Sequence, residues 1–106
     1  MTTQEASIID QLRAKLQARL PLSRLVLFGS RARGDAAPDS DLDILVILNA
    51  VVDREAEDYV NDSAWEVGLA HGVVIVPVTV SRYDWDEGLL SSSLLAIAVK
   101  QEGITV

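Results

Sequence analysis

The sequence predicts one α/β domain, and three observations carry that expectation. Two stretches, residues 4–20 and 53–71, repeat apolar residues at helical spacing. Three short aliphatic or β-branched runs, 24–28, 41–48 and 73–80, have the length of strands. No internal repeat or low-complexity linker divides the 106 residues, so the order α-β-β-α-β-α belongs to a single unit. At that length about two-thirds of the unfolded surface can be buried without disulfide or metal staples.

Ile8, Leu12, Leu16 and Leu20 recur every four residues, Ile9 widens the stripe, and Pro21 closes the first helix. Arg24-Leu25-Val26-Leu27-Phe28 is short, apolar and bounded by Pro21 and Gly29, which marks a buried strand whose end delivers Gly29 and Ser30. Arg31 to Ser40 contains Gly34 and Pro38 and has room for one helical turn before becoming loop. The next strand is Asp41 to Leu48. In the second helix Ala56, Tyr59, Val60, Ala64, Val67 and Ala70 share a face, and Gly72 is its stop. Val73 to Val80 forms the third strand, where Pro77 cannot donate a ladder hydrogen bond and points to an edge or a bulge. Leu89 to Lys100 is a short helix, and Gly103 releases the chain into an extended Ile104-Thr105-Val106.

Composition narrows the function. Nine basic against sixteen acidic residues give a net charge of −7, which repels a phosphate backbone and disfavours direct nucleic-acid binding. A small nucleotide carried with its magnesium remains admissible. Acidity of this kind serves solubility, and it also suits a partner with a basic face. The absence of cysteine removes thiolate metal sites and disulfides. No apolar run approaches the roughly 20 residues that span a bilayer, and Met-Thr-Thr-Gln-Glu lacks a basic stretch followed by an apolar core. The expectation is a cytoplasmic protein without a membrane partner, with homo-oligomerisation left open.

The chemistry concentrates in residues 29–46. Asp41 and Asp43, at i and i+2 on a strand, point to one side, where their carboxylates can converge on one cation, while Leu42 points into the core. Gly29 lets the backbone turn sharply, and Ser30 offers an N–H and a hydroxyl to phosphate. Arg31 and Arg33 are candidates for a triphosphate, but positions two apart diverge on a helical turn, so one of them faces the site. Ser40 braces the loop. A lone Gly-Ser is an ordinary turn, and a lone Asp-x-Asp marks little. Their conjunction is informative: strand, Gly-Ser, Arg-rich turn, ten residues, then Ser-Asp-x-Asp running into Ile-Leu-Val-Ile-Leu.

Over residues 25–48 the chain resembles the minimal nucleotidyltransferases of the DNA polymerase β superfamily, whose signature is Gly-Ser followed at about this distance by Asp-x-Asp. The closing Lys100-Gln101-Glu102-Gly103-Ile104 is also similar to that family. The resemblance implies an α/β (α+β) nucleotidyltransferase fold with a small mixed sheet of three or slightly more strands and helices packed on it. It implies binding of ATP or another nucleoside triphosphate with Mg2+, and transfer of a nucleoside monophosphate with release of pyrophosphate. Gly29 and Ser30 would then hold phosphate, and Asp41 and Asp43 would bind magnesium. Small proteins of this type are paired with all-helical HEPN proteins in toxin–antitoxin modules, and some adenylylate a tyrosine of the toxin.

One feature departs from that pattern. Fully active members add a third carboxylate from the later strand, whereas Val73-Val74-Ile75-Val76-Pro77-Val78-Thr79-Val80 has no acid. Asp84, Asp86 and Glu87 follow the strand and are read as solvating a loop. General-base catalysis is worth typically about 10²–10⁴-fold, so two classes of function stand side by side: an enzyme acting on a hydroxyl of a partner protein, and a module that neutralises a helical partner by contact. Among other conspicuous residues, His71 fits a helix C-terminus, and Asp53, Glu55, Glu57 and Asp58 fit a solvated helix start. Trp65 is expected to pack its helix, and Tyr83 and Trp85 to face a partner.

Overall fold

The structure is a computed structural model and describes residues 1–35, 37 and 39–106. The expected loop position Pro38 lies outside the described residues. Helix α1 spans Thr3–Gln17 and begins with a capping box, in which the Thr2 hydroxyl accepts from the Glu5 N–H and the Glu5 carboxylate accepts from the Thr2 N–H. It ends three residues before the position read from the sequence. Strand β1 runs Leu22–Phe28, the short helix α2 covers Ser30–Arg33, and β2 runs Leu42–Leu48. Helix α3, Arg54–His71, starts on the Asp53 carboxylate and stops at left-handed Gly72. It is the crossover that lets β3, Ile75–Ser81, lie parallel to β2.

Four strands form one mixed sheet in the order β3-β2-β1-β4, with β1 antiparallel to both neighbours. Here β4 is Ile104–Thr105, the extended end expected after Gly103. Pro77 sits on the edge strand in unbroken register, so it marks an edge and not a bulge. Strand β2 is central and covered on both faces. Leu42, Ile44, Val46 and Leu48 join α1 and α3 in the larger core, with Ile8, Leu12, Leu16, Val60 and Val67. Leu45 and Ile47 face the other way, into a smaller core with Val26, Val80, Trp85, Ala96 and Val99.

That second layer differs from the sequence reading. Helix α4, Arg82–Asp86, occupies the segment read as a loop, a 3₁₀ turn covers Leu89–Ser92, and α5 begins only at Leu94 and runs to Glu102. Ser81 and Ser93 cap the two helices through their hydroxyls, and Ser93 therefore divides the expected single helix. Trp85 is the buried residue of α4, whereas Trp65 is 70 % exposed, so the two tryptophans exchange the roles expected of them. Tyr83 is exposed as expected. Among the described residues no helix is long and apolar enough to cross a membrane.

Candidate active site

The end of β1 and the start of β2 meet at one rim of the sheet, where Phe28 is the antiparallel partner of Asp43. Gly29 follows at φ +76°, ψ −160°, a conformation open in practice to glycine alone. Its α-carbon packs against the Asp43 side chain, and a Cβ there would overlap the carboxylate. Ser30 opens α2, and the Gly29 carbonyl accepts from the Ala32 and Arg33 N–H groups. The Gly-Ser turn and the second carboxylate are thus in direct apposition.

Asp41 lies one residue before β2, and the Leu42 N–H makes the first bond to the β3 side, 2.9 Å to the Val74 carbonyl. Leu42 is fully buried, as expected, and flanking it are exposed Asp41 and half-buried Asp43. Desolvation and then the charge of Asp41 push the Asp43 carboxyl up from its ordinary value, against an opposing pull from Arg33. The two acids stand on either side of buried Leu42 at the start of the strand.

The two arginines diverge. Arg31 turns inward: its Nη1 donates to Glu5 at 3.2 Å, and its Nε and Nη2 donate to the Ser40 carbonyl at 3.0 and 2.6 Å. Arg33 turns outward toward Asp43 and pairs with Asp35 at 3.3 Å and Glu102 at 3.2 Å. Ser40 braces its loop through its main chain, donating its N–H to Ala37 and accepting Arg31. Glu5 and Glu102 are the residues that local pattern did not single out. Each lies far from the motif in sequence, although Glu102 belongs to the closing segment that carried part of the resemblance.

On the β3 side Asp43 is matched with Val76, and Val78 follows on the same face. No acid stands there. Asp84 and Asp86 belong to α4, which follows β3 at the Leu48–Ser81 end of the parallel ladder, and Asp86 pairs with Arg24 at the start of β1. A groove of about 940 Å³ also opens at that far end, between Pro21, Leu48, Asp53 and Tyr59, and holds none of the residues at the Gly-Ser rim.

Two carboxylates flanking Leu42, one of them raised in pKa by desolvation and by the charge of the other, form a donor set suited to a hard divalent cation. Magnesium is commonly held by one or two carboxylates while substrate phosphates and water complete its shell. Among the described residues no group of three or more His, Cys, Asp or Glu side chains could hold a metal, and Asp41 and Asp43 are the pair at this rim that could take part in holding one. Arg33 adds a positive charge beside them, and the Gly-Ser turn a glycine-walled approach.

Comparison with known proteins identifies the family. The model of the nucleotidyltransferase domain family matches residues 9–97. The chain is 35 % identical over 89 residues to the bifunctional uridylyltransferase/uridylyl-removing enzyme of Thiobacillus denitrificans, covering 76 % of this chain and 10 % of that enzyme. It is 38 % identical over 74 residues to a Methanocaldococcus jannaschii protein named as an inferred protein adenylyltransferase, covering 70 % of this chain and 67 % of that protein. A second such archaeal protein is 32 % identical over 61 residues, covering 58 % and 62 %. The chain therefore spans a tenth of the bacterial enzyme and about two-thirds of the archaeal proteins.

Among solved structures, a chain of a toxin–antitoxin crystallised with AMP-PNP superposes with a TM-score of 0.64 at 23 % identity, over 98 % of this chain and 72 % of that one. A chain of the complex between the tri-AMPylated HEPN toxin of Shewanella oneidensis and its MNT antitoxin gives 0.59 at 24 %, over 96 % and 67 %. These two likenesses speak to the fold. With the motif, the mixed sheet and the family match in agreement, the chain belongs to the nucleotidyltransferase domain family.

Proposed function

We propose that this protein binds a magnesium nucleoside triphosphate, ATP in the first instance, at Gly29, Ser30, Arg33 and the Asp41/Asp43 pair, and transfers AMP to a hydroxyl of a helical HEPN-type partner. The observation that carries the reading is the apposition of Gly29 and Asp43, which brings the phosphate turn against the carboxylates. Phosphoryl chemistry of this kind is chiefly positioning and charge neutralisation. The acceptor oxygen bonds to the α-phosphorus, the bond to the bridging oxygen breaks, and pyrophosphate leaves. Asp41 and Asp43 would hold the magnesium of the nucleotide, which would supply neutralising charge when bound. Arg33 offers the forked donor for the departing phosphates, taking it from Glu102 and Asp35. Strand β3 carries no acid beside Asp43 to take the hydroxyl proton, so that proton passes to solvent or to a group of the acceptor protein.

The choice of a protein acceptor is supported by the archaeal relatives named for protein adenylylation, and the choice of partner by the toxin–antitoxin assemblies that share the fold. A second reading is favoured by the acid-free β3: a nucleotidyltransferase-fold antitoxin that neutralises its partner by contact, with little or no catalysis. Incubation with a HEPN-type partner, Mg2+ and ATP, followed by intact mass of the partner, decides between them. A gain of one or more AMP units that is lost in Asp41→Ala/Asp43→Ala supports transfer; an unchanged mass with an intact complex supports the contact reading.

A further inference from the structure

Among the described residues Glu5 is the only buried one that carries a formal charge, and the side chains of Glu5 and Arg31 beside it are 6 % and 9 % exposed. A buried ion pair seldom stabilises a fold more than a well-packed apolar pair of the same volume would. Its geometry is therefore the informative part. Glu5 is fixed at the first turn of α1, where Oε1 accepts the Thr2 N–H at 2.8 Å, and the same helix is pinned into the core by Ile8, Ile9 and Leu12. Its Oε2 holds the Arg31 guanidinium, which closes with two donors on the Ser40 carbonyl.

That carbonyl and the Asp41 N–H belong to one peptide plane. Asp41 itself precedes the strand, and ladder support begins only at Leu42. Arg31 thus grips the residue before Asp41, and the buried Leu42 anchors the residue after it. We propose that Glu5 and Arg31 are positioning residues of the carboxylate pair: through the Ser40 carbonyl they set the direction in which Asp41 presents its side chain beside Asp43. The proposal rests on the reading that Asp41 and Asp43 hold a metal nucleotide. In this arrangement Arg31 is held by Glu5 and the Ser40 carbonyl, and Arg33, whose charge acts on Asp43, serves the phosphates.

The test is calorimetric binding of Mn2+·AMP-PNP to the full chain, with thermal melting of every variant. Arg31→Lys keeps a cation beside Glu5 but cannot fork onto the Ser40 carbonyl. Glu5→Gln/Arg31→Met leaves no charge buried and retains the Thr2 contact, so the fold survives without the grip. Ala64→Gly, buried in α3 away from the rim, is the control for lost stability. Residues that orient metal ligands cost about 10–100-fold in affinity when replaced. That loss is expected in both Arg31 variants, with Ala64→Gly within about twofold of wild type. Wild-type affinity in either Arg31 variant, or an equal loss in Ala64→Gly, overturns the proposal. Equal affinity of wild type and Asp43→Asn overturns the carboxylate reading itself, a result distinct from failure of the grip.

Discussion

Gly29 and Asp43 are in contact across the rim of the sheet, with no space for a side chain between them: a Cβ on Gly29 would stand 3.2 Å from Asp43 Cγ and collide with its carboxylate oxygen. Gly29→Ala therefore combines a left-handed backbone with displacement of a proposed metal ligand. It is expected to cost about 1–3 kcal/mol of stability and to abolish Mg·ATP binding. Gly34 has nearly the same φ, +78°, but nothing within 4 Å of its Cβ position. Gly34→Ala should cost about 1–2 kcal/mol and leave nucleotide affinity unchanged. Melting curves and calorimetry on the two variants separate strain from site geometry.

Glu5 and Asp43 respond to pH in opposite senses. Burial pushes the Glu5 carboxyl up, but the Thr2 N–H and the Arg31 guanidinium outweigh it and hold it below 4.5. The folded state then binds fewer protons than the unfolded one, so the contribution is complete above 4.5 and lost as pH falls through the folded value. Glu5→Gln should lower the melting temperature at neutral pH, by removing the carboxylate paired with the Arg31 guanidinium, and flatten the acid limb.

Asp43 is raised above 3.8, chiefly by desolvation and then by Asp41. Its folded form binds more protons, so stability declines as pH rises through the window above 3.8, and the penalty persists at neutral pH. In metal-free buffer Asp43→Asn should therefore melt a few degrees higher than wild type at pH 7 and lose that advantage in acid. A lower melting temperature at pH 7 contradicts the assigned repulsion.

Arg33 and the tryptophans offer contrasts between surface and core. Arg33 is half exposed and its ion pairs are worth about 0–1 kcal/mol. Arg33→Ala should leave melting nearly unchanged while weakening Mn2+·AMP-PNP about tenfold or more, the value of a charged hydrogen bond to phosphate.

Trp85→Ala should cost about 3–5 kcal/mol, because Trp85 fills the smaller core. Trp65→Ala should change stability by less than about 0.5 kcal/mol. Denaturant melts of the pair test the exchange of roles between them.

The layout of the rim was legible because it is written locally. Gly29-Ser30, the ten-residue spacing and Asp41-Leu42-Asp43 lie within one stretch, and strand periodicity alone assigns Leu42 to the core and its neighbours to the other side. Helical geometry also required Arg31 and Arg33 to part. Which one turned inward depended on Glu5, 26 residues upstream, which no local pattern could reveal. The layer beneath β3 was harder to read for a similar reason. Tyr83-Asp84-Trp85-Asp86 is polar in composition, yet one helical turn capped by Ser81 suffices to drive Trp85 inward and leave its neighbours in water.

Along β2 the fold and the acids are written in one alternating register, with Leu42, Ile44, Val46 and Leu48 on one face and Asp43, Leu45 and Ile47 on the other. Inserting or deleting a single residue within the strand would exchange the two faces and drive a carboxylate into the larger core. Selection for a folded chain alone is therefore enough to keep position 43 at the rim, although not its carboxylate. A lineage that stopped transferring nucleotides would go on presenting the same outline for as long as it folded, and only replacement of the acids themselves would record the loss.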